Sequence, residues 1–357
     1  MVTNTIQSVS YPKIIMPYLV QNGMSIHSDQ IFGGVERFKK LVYENIPNVI
    51  PIEITEEDRK KRRGKAILHF EMWTNQPDII FINDMSKTYG SDLMRYNLPI
   101  VWLCHNGLER GIMIVDMVKR FNDFTNAGGH LYFVSQRQHE FYDSNCKRLT
   151  GSPIKGVKGY INSACVTGNE QVYLNDRDFD AVTIGRTARN KDPFWLHRKA
   201  EGTDLKTAVI TGSNNILKNS KEQDYFDFNL RWQNPQHTFR GLTHKDTLHT
   251  MSKGGVYVST CTFESWGITA LEALSHGLPL LLVTDTTGKH SSTTIAASSS
   301  HYRHVSKTVK PNEIEGIIKE MNTISLTERQ NIAKMTQEKH SLEKFKETLN
   351  KVFRDVL

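Results

Sequence analysis

The stretch Phe263-Glu264-Ser265-Trp266-Gly267-Ile268-Thr269-Ala270-Leu271-Glu272-Ala273-Leu274, followed by Ser275-His276-Gly277-Leu278-Pro279, organises the whole chain. It follows the apolar run Gly255–Ser259 and leads into a second, Pro279–Val283, so it reads as the crossover of a βαβ unit with its helix opening at Gly267. A helix start presents unpaired N–H groups and partial positive charge, which suits an anion such as a diphosphate. Glu264 precedes that helix and Glu272 lies inside it. A carboxylate in the first position can take sugar hydroxyls, and one in the second a ribose diol.

Outward from this unit the same rhythm repeats. Ala181–Ile184, Lys206–Ile210 and Thr238–Phe239 read as further strands, with helices beginning near Lys245 and Gly267 and a helical C-terminus from Pro311. Upstream, Lys13–Leu19, Val49–Ile54, Ala66–Phe70, Asp78–Ile82, Ile100–Cys104 and Leu131–Ser135 read as strands. Val35–Tyr43 and Met113–Asp123 read as helices between them. The runs are continuously apolar rather than alternating, as in parallel sheets covered on both faces. Two α/β domains are expected, 1–175 and 176–357, joined through the polar stretch Gly168–Asp180. Ser291–Ser300 (SSTTIAASSS) is a low-complexity patch expected to be a mobile loop.

Composition narrows the class. The chain has 357 residues, 45 Lys+Arg against 38 Asp+Glu and a net charge of +7, spread evenly over both halves. No apolar run approaches the roughly 20 residues that span a bilayer, and Met1–Ser10 lacks the features of a secretory signal. The four cysteines are far apart, which fits reduced thiols in a cytoplasmic protein and gives no zinc signature. The densest charge cluster is Arg59-Lys60-Lys61-Arg62-Arg63-Gly64-Lys65, preceded by Glu56-Glu57-Asp58. It is either a solvated helix end or a contact for a phosphate backbone.

Taken together, these motifs resemble the retaining GT-B glycosyltransferases of the family 4 type, whose glutamate-x7-glutamate motif matches Glu264 and Glu272. Ile184-Gly185-Arg186-Thr187-Ala188-Arg189-Asn190-Lys191 is similar to that family's Gly-Arg…Lys segment, and Gly33-Gly34-Val35-Glu36-Arg37 to its Gly-Gly loop. His105, after Ile100–Cys104, stands where the family places a histidine against the donor sugar, and Ser135, after Leu131–Val134, fits the family's last strand of the first domain. The resemblance implies two Rossmann-like doubly wound domains facing across a cleft. It implies catalytic roles for His105, Arg186, Lys191 and Glu264. It implies a donor site of Gly33, Gly34, Arg186, Lys191, Gly212, Glu264, Ser265, Trp266, Gly267, Ile268, Thr269 and Glu272. The donor is expected to be a UDP-sugar, with no cofactor or metal required, since Arg186 and Lys191 neutralise the departing diphosphate. Two positions depart from the family pattern: Asp192-Pro193 follows Lys191 where glycine is common, and Asn106 follows His105 where aspartate is common.

Ile184-Gly185-Arg186-Thr187 and the Gly-Val step of the first loop further resemble the T-even phage DNA α-glucosyltransferases. That likeness implies a double-stranded DNA acceptor carrying 5-hydroxymethylcytosine. Arg59, Lys60, Lys61, Arg62, Arg63 and Lys65 would then hold the DNA backbone. A carbohydrate or lipid-linked glycan acceptor, and a non-catalytic nucleotide-sugar or DNA-binding module, are the competing expectations. The basic run lacks the interleaved aromatics of a membrane-surface helix. Asp176-x-Asp178 and Asp178-x-Asp180 precede a strand and read as a solvated turn. His301-x-x-His304 lacks a third metal ligand, and Cys104 reads as a buried strand cysteine.

Overall fold

A computed structural model describes residues 11–20, 25–27, 34–83, 93–105, 112–164, 177–187, 191–212, 237–261, 264–284 and 290–357. Within them the first half forms β1 (Ile14–Val20), α1 (Gly34–Asn45), β2 (Val49–Thr55), α2 (Glu56–Lys60), α3 (Gly64–Asn75), β3 (Ile79–Ile82), β4 (Ile100–Cys104), α4 (Ile112–Asn126), β5 (His130–Phe133), α5 (Gln136–Thr150) and β6 (Val157–Tyr160). The second half forms β7 (Phe179–Ile184), α6 (Trp195–Ala200), β8 (Thr207–Thr211), β9 (Thr238–Arg240), α7 (His244–Ser252), β10 (Gly254–Ser259), α8 (Ile268–Ser275), β11 (Leu280–Thr284), β12 (Tyr302–Ser306), α9 (Pro311–Met321), α10 (Leu326–Lys339) and α11 (Leu342–Asp355).

Among the described residues there are two six-stranded sheets, ordered β2-β1-β3-β4-β5-β6 and β12-β11-β10-β7-β8-β9, and every pairing is parallel. In each, the chain runs outward from one strand and then crosses back, so the winding reverses between β1 and β3 and between β7 and β10. Such switch points open a crevice at the carboxyl ends of the strands, where ligands of doubly wound sheets bind. The continuous apolar runs are explained by burial on both faces. Ile80, Ile82, Trp102 and Cys104 pack on one side of the first sheet, and Phe81, Val101 and Leu103 on the other.

The two sheets meet at their carboxyl ends. Ser135, just beyond β5, donates its hydroxyl to the carbonyl of Ser265, beyond β10, at 2.5 Å. Arg37 of α1 pairs with Glu272 of α8. The last helix, α11, returns to the first sheet: Phe345 lies edge-on to Phe38 and Phe353 to Phe81, each with ring centroids 5.5 Å apart.

Three expectations are corrected. Ala66–Phe70 is not a strand but the middle of α3, because Leu68 and Met72 at helical spacing supply the buried face. The SSTTIAASSS stretch is not a loose loop. It forms 3-10 turns at Ser291–Thr294 and Ser299–His301, with Ser292, Ile295 and Ala296 buried. Lys339 Nζ donates to the carbonyls of Thr294 and Ala296, both at 2.8 Å, and His340 Nε2 to that of Ile295 at 2.9 Å. The proposed linker ends earlier than Asp180, since β7 begins at Phe179; residues 165–176, where the domain boundary was expected, lie outside the described residues.

Candidate active site

The second sheet's switch point brings the central residues together. Lys191, after β7, and Glu264, after β10, lie 73 positions apart in sequence, yet Lys191 Nζ donates to Glu264 Oε2 at 2.5 Å. Thr260 Oγ1 donates to the Lys191 carbonyl at 2.6 Å, tying the two loops together. Burial alone would neutralise both groups. It is outweighed on each side: the Glu264 carboxylate, with Cys261, holds Lys191 above the usual lysine range, and Lys191 holds Glu264 below the usual carboxylate range.

The residue after Lys191 explains the first departure from the family pattern. Asp192 has φ 41°, in the left-handed region where glycine is favoured and Asp is among the few tolerated alternatives. It is 5% exposed. Its carboxylate holds that conformation by accepting two bonds from Arg198 Nη2, at 2.7 and 2.8 Å, with Lys307 Nζ at 3.5 Å. Asp192 thus supplies both the turn and its own anchor.

Gly267 caps α8 at φ 96°, and a Cβ there would stand 2.6 Å from Ser292 Oγ. The opening of α8 is therefore pressed against the 291–296 segment, beside Glu264. Ser265 and Trp266 are buried, Ile268 and Thr269 form the first turn, and Tyr257 donates to Thr269 Oγ1 at 2.8 Å. Further along α8, Glu272 is 6% exposed. Its Oε1 accepts from Arg37 Nη1 and, at 2.9 Å, from His244 Nε2, while Oε2 has no partner among the described residues. Burial would raise Glu272; Arg37 and His244 hold it below the ordinary range.

His105 sits at the end of β4, buried against Phe38 with ring centroids 4.4 Å apart. Burial, reinforced by the charge of Lys39, pushes it down to about 3, so its imidazole is neutral at physiological pH. Its Nε2 has no hydrogen-bond partner among the described residues. Arg186, after β7, is exposed; Gly212 follows β8; Gly34 opens α1, and Gly33 and Asn106 lie outside the described residues. Glu264, Lys191 and Glu272 are thus assembled around α8, while among the described residues no bond ties Arg186 to them.

Sequence reasoning missed Arg37, His244 and His290. Arg37 was visible only as a neighbour of the Gly-Gly step, and His244 carried no motif. His290 donates to Ser259 Oγ at 3.2 Å, accepts from the Ser292 N–H at 3.1 Å, and is pushed by burial down to about 4 despite the nearby Glu264 carboxylate.

The basic run forms α2 and the turn into α3, at the carboxyl end of the outermost strand β2. Lys60 pairs with Glu56 at 3.5 Å, Lys61 with Glu57, and Arg63 with Asp58 at 2.9 Å, so half the run is balanced locally. Among the described residues, no group of three or more His, Cys, Asp or Glu is placed to hold a metal. His301 and His304 share no helix, and Asp178 and Asp180 bind Lys253 and the Lys206 N–H. Cys104 is buried and accepts a bond from Gln138 Nε2 at 3.6 Å. No helix of the described residues is long and apolar enough to cross a membrane.

Two facing doubly wound α/β domains with a charged site at their carboxyl ends define the GT-B fold. Solved structures agree. The Anabaena protein HepE, determined with UDP and glucose, superposes with a TM-score of 0.69 at 13% identity, covering 96% of this chain and 100% of HepE. Sucrose-phosphate synthase from Thermosynechococcus elongatus gives 0.66 at 13% identity over 96% of this chain and 98% of its own. A glycosyltransferase from Rickettsia africae gives 0.67 at 11% identity over 97% of this chain and 98% of its own. By sequence, the chain matches no protein-family model and no curated protein.

Proposed function

We propose that the chain is a retaining glycosyltransferase, independent of metal, that moves a sugar from a UDP-sugar to the hydroxymethyl group of 5-hydroxymethylcytosine in double-stranded phage DNA. The observation that carries the donor half is the Lys191–Glu264 pair in front of the α8 N-terminus at the β7/β10 switch point. Lys191 and Arg186 take the diphosphate, and the unpartnered Glu272 Oε2 takes the ribose diol. Glu264 and neutral His105 take the sugar hydroxyls. In the step itself the acceptor oxygen bonds to the anomeric carbon on the face from which the diphosphate oxygen leaves. The acceptor's proton passes to that departing oxygen, whose charge the two cations stabilise. HepE, of like fold, was solved with UDP-glucose, which supports the choice of donor.

The acceptor half rests on the likeness of Ile184-Gly185-Arg186-Thr187 to phage DNA α-glucosyltransferases and on the basic run beside the carboxyl edge of β2. The target base would have to leave the helix stack to reach the cleft. The test is to incubate duplexes with and without hydroxymethylcytosine with a panel of UDP-sugars and to weigh the released nucleosides. A hexose or pentose mass on the modified cytosine alone is expected; no gain with any donor overturns this acceptor. One observation favours a carbohydrate or lipid-linked glycan instead. On α3, directly after the basic run, Phe70 and Trp73 are 60% and 78% exposed, a basic–aromatic combination suited to a membrane surface.

A further inference from the structure

We infer that the carboxyl edge of the first sheet holds a subsite for the acceptor's reacting hydroxyl, with Asn83 as the group that positions it; this rests on the glycosyl-transfer reading above. Strands β2, β1, β3 and β4 are consecutive neighbours. Tyr18 is paired with Glu53, and the β1–β3 register, Ile14 with Ile79 and Ile15 with Ile80, extended along both strands brings Tyr18 level with Asn83. The β3–β4 register puts Ile82 opposite Trp102, so His105 stands slightly further out on the next strand. Ile79 and Phe81 face the α1 side of the sheet, as do Tyr18, Val101 and Leu103. Continuing that alternation turns Asn83 and His105 to the same side. Near the carboxyl ends of four adjacent strands thus lies a polar row of Glu53, Tyr18, Asn83 and His105, across the β1/β3 switch point.

Within that row the groups divide in two. Tyr18 and Glu53 are satisfied: Tyr18 and Ser25 both donate to Glu53 Oε1, the Ile26 N–H donates to Tyr18 at 3.0 Å, and Lys39 Nζ lies 5.3 Å from the Tyr18 ring centre. They form a fixed, charged wall. Asn83 is the opposite case. It is 0% exposed, and neither Oδ1 nor Nδ2 has a partner among the described residues. His105 Nε2 on the neighbouring strand is unpartnered too. Buried amides are rarely left unpaired, because the lost hydration is not recovered. A ligand bearing a hydroxyl recovers it: Nδ2 donates to that hydroxyl's oxygen and fixes its position, leaving its proton to the departing diphosphate oxygen, and Oδ1 accepts from a second polar group of the same ligand. The row also borders the donor site, since Phe38 covers His105 while its neighbour Arg37 reaches Glu272.

The experiment compares wild type with Asn83→Ala and with Asn83→Leu, which keeps the size and removes the amide. Each is assayed for transfer from UDP-glucose to a hydroxymethylcytosine duplex, for hydrolysis of UDP-glucose with water as nucleophile, for UDP affinity by calorimetry and for thermal unfolding. Both variants should lose tenfold or more in transfer and hydrolysis, keep UDP affinity within about twofold, and in the Leu case unfold no lower than wild type. Unchanged turnover in a folded variant overturns the inference. So does a parallel loss of turnover, UDP affinity and stability, the mark of a merely structural residue. Wild-type hydrolysis without transfer to the duplex would refute the DNA acceptor alone, and the variants' hydrolysis rates would still decide the role of Asn83. Wild-type protein that turns over no UDP-sugar overturns both.

Discussion

At the scale of single residues, the site is built from charges that are buried because they are shared. Lys191 and Glu264 each hold the other ionised, so removing either leaves the partner in a costly state. On the proposed donor role, Lys191→Ala should lower turnover by about 100-fold or more, since it would remove a preorganised cation from the diphosphate; Glu272→Ala should do likewise while the fold persists. Steady-state kinetics with circular dichroism on both variants checks this, and wild-type rates in both would refute the site. Asp192 permits a finer test. Asp192→Gly relieves the left-handed backbone but deletes the bidentate bond from Arg198. The charged bonds outweigh the relieved strain, so denaturant unfolding should show a net loss of roughly 1–2 kcal/mol.

At the scale of elements, α8 and the 291–296 segment act as a unit. The segment is clamped from behind by Lys339 and His340 and meets α8 where Gly267 has no side chain. Gly267→Ala forces a Cβ to 2.6 Å from Ser292 Oγ and demands φ 96° of an L side chain. The expected outcome is a destabilisation of about 1–3 kcal/mol, with weaker UDP binding because Glu264 Cγ lies 3.4 Å from the same position. Calorimetric titration with UDP reads the second effect. If affinity and stability both stay at wild-type values, this packing does not position the loop.

At the scale of the whole molecule, acid should unfold the protein through its buried histidines. Burial lowers His105 to about 3 and both His290 and His340 to about 4. A histidine whose folded pKa is depressed is neutral when folded and protonated when unfolded between that value and about 6.5, so stability falls as pH drops through this window. At pH 5 these residues should give an uptake of about three protons on unfolding. Denaturation midpoints measured between pH 7 and 5 should fall steadily, and His340→Gln should flatten the slope by about one proton. A flat profile would show that these rings are solvated.

What the sequence determined by itself was the layer architecture and the motif residues. Continuous apolar strands broken by polar helices could bury their faces only in parallel sheets, and the Glu264–Glu272 string had one sensible place, at the turn into a helix. The sequence could not reveal partnerships between distant residues, because these depend on which loops share a switch point. Tertiary structure alone joined Lys191 to Glu264 and Arg37 and His244 to Glu272. It also turned Ala66–Phe70 into helix, since the facing sheet chose the buried side of a short apolar run that fits either period. It left Asn83 buried without a partner among the described residues, a fact that no local pattern records, because burial is a property of what the rest of the chain lays over a residue.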